Sequence, residues 1–109
     1  MRYRCLGRYG PYPAAGGASS GHLLYQGGKA LVLDMGCGTL PRLLLSSEKT
    51  EICGVVLTHL HPDHYSDLLV YAQYLAKCAG RPMPLFMPRA PERVSSLLAD
   101  MGVFEVHFT

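Results

Sequence analysis

No uncharged apolar stretch in this chain of 109 residues reaches the roughly 18 residues that a membrane span requires, so no membrane partner is expected. Residues Met1 to Tyr12 interleave Arg2, Arg4 and Arg8 with isolated apolar residues, and a secretory signal needs a continuous apolar core that this stretch lacks. Charge of one sign is also scarce. Ten Lys and Arg against eight Asp and Glu leave a formal +2, with no basic stripe among the aromatics. Charge alone therefore argues against a nucleic-acid partner. The four cysteines, Cys5, Cys37, Cys53 and Cys78, form no Cys-x-x-Cys pair, which excludes a zinc finger and a dense disulfide scaffold. They are expected as small buried or loop thiols in a reducing compartment, and the protein as cytoplasmic. No repeat or low-complexity linker is present. The length excludes a multidomain enzyme and allows one small domain or a piece of a larger one. At 49% hydrophobic and 17% charged residues, the composition is that of a folding chain.

The punctuation along the chain predicts alternating elements. A short strand, Arg2 to Leu6, precedes a loop rich in Gly, Pro and Ser (Gly7 to Gly21). His22 to Gln26 and Lys29 to Asp34 flank Gly27-Gly28, a hairpin signal because both turn positions require positive φ. Ala30 to Leu33 is apolar without alternation, as expected of a strand covered on both faces. After Asp34-Met-Gly-Cys-Gly-Thr39, Thr39 is the expected N-cap of a short helix through about Ser47, with Pro41 in its first turn. Ile52 to Leu57 reads as a buried strand. Ser66 is the expected cap of a helix to about Ala79 that is apolar on nearly every side and hence buried. Leu85 to Met87 is a short strand. Pro91 opens a helix whose Val94, Leu97, Leu98 and Met101 share one face, ending at Gly102. Val103 to Thr109 is a last strand. The class is α+β with a partly parallel or mixed sheet.

Between the buried strand and the buried helix lies Thr58-His59-Leu60-His61-Pro62-Asp63-His64. Three of the five histidines and a carboxylate fall within six residues, an arrangement that chance produces in roughly one chain in ten thousand of this length. At a strand end His59 and His61 point to the same side, so both imidazoles can reach one cation. Pro62 stiffens the approach. Asp63 and His64 come from the turn into the helix and can face a second cation beside the first. Imidazole nitrogen with carboxylate oxygen suits zinc, with iron or manganese as alternatives, and two such ions about 4 Å apart can hold a nucleophile against a phosphoryl or carbonyl group. Taken singly, His22 and His107 are read as structural residues.

His59-x-His61-x-Asp63-His64 after an apolar strand resembles the His-x-His-x-Asp-His motif of the metallo-β-lactamase superfamily. The run from Gly21 through Asp34-Met-Gly36-Cys-Gly38-Thr39 is similar to the strand, turn and helix of its ribonuclease Z and phosphodiesterase-like branch. Pro11 to Pro13 and Thr58 to Asp67 point the same way. The resemblance implies that His59 and His61 bind one metal, and that Asp63 and His64 bind the other. Asp63 then also acts catalytically, orienting the attacking water or accepting its proton, while Asp34 lies behind the ligands and steadies their loop. It implies a zinc-dependent hydrolase, with one or two ions, in which metal-bound hydroxide attacks a phosphodiester. Relatives cleave lactones, thioesters and β-lactams with the same four residues, so small-molecule substrates stay open.

Members of that family fold as an αββα sandwich of roughly twice this length, and their second half supplies another histidine, a bridging carboxylate and a last histidine. The resemblance thus implies that residues 1–109 form a single partial domain, the N-terminal half of the sandwich. Such a half leaves an apolar sheet face open, more than a monomer tolerates. A homo-oligomer is therefore expected, and a catalytically incomplete, self-associating half-domain is the alternative to an enzyme.

Overall fold

A computed structural model describes residues 1–109. One six-stranded sheet runs in chain order: β1 (Arg2–Gly7), β2 (Gly21–Gln26), β3 (Lys29–Met35), β4 (Glu51–Val56), β5 (Met83–Met87) and β6 (Phe104–Phe108). The first three strands pair antiparallel, and β3 through β6 pair parallel. The expected mixed sheet is present, with the hairpin turning at Gly27–Gly28, both at positive φ. The helices are α1 (Thr39–Ser46), α2 (Pro62–Cys78) and α3 (Glu92–Ala99).

Period-two alternation divides the sheet into two unlike faces. Leu23, Ala30, Val32, Val55, Leu85 and Phe104 turn to one side and join Leu43 of α1, Leu68, Tyr71 and Leu75 of α2, and Leu98 of α3 in a single apolar core. On the other side, cross-strand partners His22, Leu33, Val56, Phe86 and His107 form a row, beside Tyr3, Leu24 and Leu31. Leu24, Leu31, Leu33, Val56 and Phe86 are half-buried and stand outside that core. The predicted cover of Ala30 to Leu33 on both faces is thus corrected: Leu31 and Leu33 lie on the face that carries no helix.

Several boundaries differ from expectation, each for a local reason. Helix α2 begins at Pro62, with His61 as N-cap in extended backbone and no side-chain cap, so the cap comes five residues before the expected Ser66. Proline suits the first helical position because the missing N–H has no intrahelical partner there, and Asp63 favours the helix N-terminus electrostatically. Thr39 is the first residue of α1 rather than its cap; Gly38 holds the cap position at φ 89°, and the Thr39 hydroxyl donates back to the Gly36 carbonyl at 2.7 Å. Helix α2 is buried on one face only, since Val70 is 57% and Tyr74 43% exposed. Leu97 of α3 is likewise half exposed. Strand β5 starts at Met83 despite Pro84, because its pairing with β4 begins only at Leu85, so β4 asks no N–H of the proline. All four cysteines are exposed free thiols, none of them buried. No helix is long and apolar enough to cross a membrane.

Candidate metal centre

Strands β3 and β4 run parallel and adjacent, which brings their C-terminal ends together. In sheets of this kind that is where loops can converge on a ligand. Asp34 closes β3, and Thr58 to His64 leads from β4 into α2. Leu60 is 4% exposed and anchors the loop in the core, while His59 and His61 on either side of it are exposed. Their rings lie nearly parallel, centroids 6.0 Å apart. His64, in the first turn of α2, approaches His59 with centroids 5.2 Å apart. The Asp63 carboxylate lies 3.5 Å from His64 Nε2. The structure therefore brings His59, His61, Asp63 and His64 into one neighbourhood at the surface. No three donors among His, Cys, Asp and Glu converge closely enough to hold a metal ion between them.

Asp34 organises this neighbourhood from beneath. It is 4% exposed and adopts φ 62°, a left-handed conformation that Asp tolerates better than most residues. Its Oδ1 accepts the Thr58 backbone N–H at 2.8 Å. Its Oδ2 accepts the Thr58 hydroxyl at 2.8 Å, the Ser20 hydroxyl at 3.4 Å and, with His64 as donor, His64 Nδ1 at 3.0 Å. An imidazole whose Nδ1–H is engaged in this way keeps its Nε2 lone pair for a metal. Imidazole nitrogen beside carboxylate oxygen is a donor set of the kind divalent cations take, and His64 Nε2 and the Asp63 carboxylate stand 3.5 Å apart, two donors where a closed site draws on three or four.

Close packing holds the two loops in contact. A Cβ added to Gly36 would collide with the backbone carbonyl of Asp63, and at 2.5 Å with the Ser19 Cβ, so the Asp34-Met-Gly36 turn presses directly on the motif. A Cβ on Gly10 would stand 2.6 Å from Asp63 Oδ2, which places the loop between β1 and β2 at the rim. Asp67 of α2 accepts the Leu40 backbone N–H. Local sequence does not point to Thr58, Ser20 or Asp67; the one hint is a polar residue after the apolar run, just before the histidines. His22 bonds to the Tyr3 hydroxyl at 2.7 Å, and His107 stacks on Phe86 and bonds to Glu105 at 2.6 Å. His22 Nε2 also lies 3.4 Å from the Ser20 hydroxyl, which links it to Asp34 at the edge of the cluster, whereas His107 stands apart.

Known proteins resemble this chain in sequence and in fold. Residues 14–100 match the Metallo-beta-lactamase superfamily. The probable metallo-hydrolase YhfI of Bacillus subtilis is 34% identical over 83 residues, covering 74% of this chain and 34% of that protein. Ribonuclease Z of Mycobacterium marinum is 30% identical over 103 residues, covering 89% and 37%. The chain thus spans little more than a third of the length of these curated relatives. Among solved structures, the metallo-beta-lactamase fold protein YhfI superposes with a TM-score of 0.85 at 25% identity, covering 98% of this chain and 45% of that one. The short form of human tRNase Z does so with a TM-score of 0.73 at 22% identity, covering 99% and 45%, a likeness of fold.

Proposed function

This chain belongs to the metallo-beta-lactamase superfamily, and from that premise we propose that it carries part of the active site of a metal-dependent hydrolase acting on a phosphodiester. The observation that supports this best is the Asp34–His64 pair. Asp34 Oδ2 occupies His64 Nδ1, and the opposite nitrogen lies beside the Asp63 carboxylate. In this reading His59 and His61 hold one cation, and Asp63 and His64 another. Zinc, or manganese or iron in its place, supplies the Lewis acidity that makes water a nucleophile near neutral pH and offsets charge on the substrate. Asp63 orients the attacking water or takes its proton, and Asp34 keeps the His64 ring from turning. The name of the ribonuclease Z relative favours a phosphodiester over a lactone, thioester or β-lactam. Four exposed free thiols suit a reducing compartment, and we place the protein in the cytoplasm.

A second reading rests on the sheet face that carries Leu24, Leu31, Leu33, Val56 and Phe86 outside the core. In it, residues 1–109 are one half of an αββα sandwich that self-associates and turns nothing over. Zinc analysis of the purified chain beside hydrolysis of bis(p-nitrophenyl) phosphate separates the readings. Near-stoichiometric zinc and a turnover lost in His61→Ala support the enzyme. Neither zinc nor turnover, with elution well above the 11.9 kDa monomer, supports the half-domain.

A further inference from the structure

The Thr58 hydroxyl has one proton and three acceptors within reach. Asp34 Oδ2 is 2.8 Å away, His59 Nδ1 3.2 Å and His64 Nδ1 3.4 Å. The carboxylate is both the nearest and the charged acceptor, so it takes the proton. His64 Nδ1 sits 3.0 Å from the same carboxylate oxygen, and a carboxylate only accepts, so His64 carries its own proton on Nδ1. The Thr58 oxygen then presents lone pairs alone to His59 Nδ1, a contact that attracts only if that nitrogen is protonated. Which ring nitrogen bears the proton is set by such a bond.

We infer that Thr58 is a positioning residue that locks His59 as its Nδ1–H tautomer, so that one hydroxyl, itself held by Asp34, leaves the Nε2 lone pair of His59 free. The Thr58 backbone N–H bond to Asp34 Oδ1 fixes the hydroxyl at the junction. The inference rests on the proposed metal site only for the use to which that lone pair is put.

The test uses two-bond proton–nitrogen correlation spectra of the 15N-labelled, metal-free protein, recorded over a pH series and read where each ring shows one proton. The wild type is expected to show His59 with Nδ1 protonated and Nε2 bare. Thr58→Val keeps the branched shape and the backbone bond but loses the hydroxyl, and is expected to shift His59 mostly to the Nε2–H form. Thr58→Ser should restore the wild-type pattern. A wild-type His59 protonated mainly on Nε2, or a folded Thr58→Val variant with unchanged His59 signals, overturns the inference. The wild-type spectrum decides even if the valine variant does not fold. Zinc uptake is a separate readout: an Nδ1–H His59 in a protein that takes up no zinc counts against the metal-dependent function and leaves the tautomer lock standing.

Discussion

The carboxylate of Asp67, on α2, accepts the backbone N–H of Leu40, at the start of α1, with Oδ2 2.8 Å from the nitrogen. Helix α1 has glycine at its own N-cap and no side-chain cap there, so this first-turn N–H is satisfied from a different helix. The bond ties the helix that follows the Asp34 turn to the helix that carries Asp63 and His64. Losing it should cost about what a lost N-cap costs. Asp67→Ala is expected to destabilise the fold by about 1 kcal/mol and to lower the melting temperature by roughly 4–8 °C, followed by circular dichroism. An unchanged melting temperature would show that water replaces the carboxylate without cost.

Gly36 is the point where the two loops touch. Because an added Cβ would strike the Asp63 carbonyl, Gly36→Ala must displace either the turn or the motif, at a cost of about 1–3 kcal/mol by analogy with overpacking. The displaced atoms belong to the backbone of a proposed ligand. Zinc retained after dialysis should therefore fall in this variant even at temperatures where circular dichroism reports a folded chain. Full zinc retention would mean that the loop relaxes elsewhere.

Asp34→Asn tests the buried carboxylate with little change of shape, since Asn also tolerates positive φ. Its amide group puts two donors against the Thr58 N–H, the Thr58 hydroxyl or His64 Nδ1. With the amide nitrogen facing the Thr58 N–H two donors meet, at about 1–3 kcal/mol of stability; facing His64 Nδ1 instead, it is accommodated only if that imidazole gives up its Nδ1 proton. With the His64 ring no longer held, zinc affinity measured by competition with a chelating dye is expected to drop about 10–100-fold. Equal affinity in mutant and wild type would remove Asp34 from the site.

The same residues show how far local pattern carries. Gly27-Gly28 marks its hairpin because positive φ is a property of one or two residues. His59-x-His61 on either side of buried Leu60 shows itself because alternating residues of an extended segment face opposite ways, although the structure ends β4 at Val56 and carries these three in the loop beyond it. These signals are local. What spacing could not show is interaction across the chain. Asp67 reaches Leu40 over 27 residues and Asp34 reaches Thr58 over 24, and nothing within a ten-residue window distinguishes either carboxylate from an ordinary turn or first-turn acid. The cap of α2 is His61 and not Ser66 for a related reason. Serine is the better capping residue in general, but Pro62 sits where helical φ is already imposed, and the chain takes the earlier start. Val70 and Tyr74 give α2 an apolar residue on nearly every side, yet only the face toward β3 is covered and both stand exposed.

Tyr71 gives the fold a dependence on alkaline pH. Its ring is buried in the core of α2 and the sheet, and burial, followed by the nearby Tyr74 phenol, pushes its pKa up to about 12 from an ordinary value of 10.0. The two rings stack with centroids 5.8 Å apart. Between about pH 10 and 12 the unfolded chain has released a proton that the folded chain still holds. Unfolding is then favoured by rising pH, and stability falls through that window while remaining flat, for this group, below it. The loss amounts to at most about 2–3 kcal/mol by pH 12. Other groups also ionise there, so the informative quantity is a difference. Tyr71→Phe keeps the ring and removes the ionisation, and its urea midpoint is expected to lie near the wild-type value at pH 8 and progressively above it from pH 10 upward. If the two midpoints fall in parallel across that range, the Tyr71 phenol ionises as readily in the folded chain as in the unfolded one.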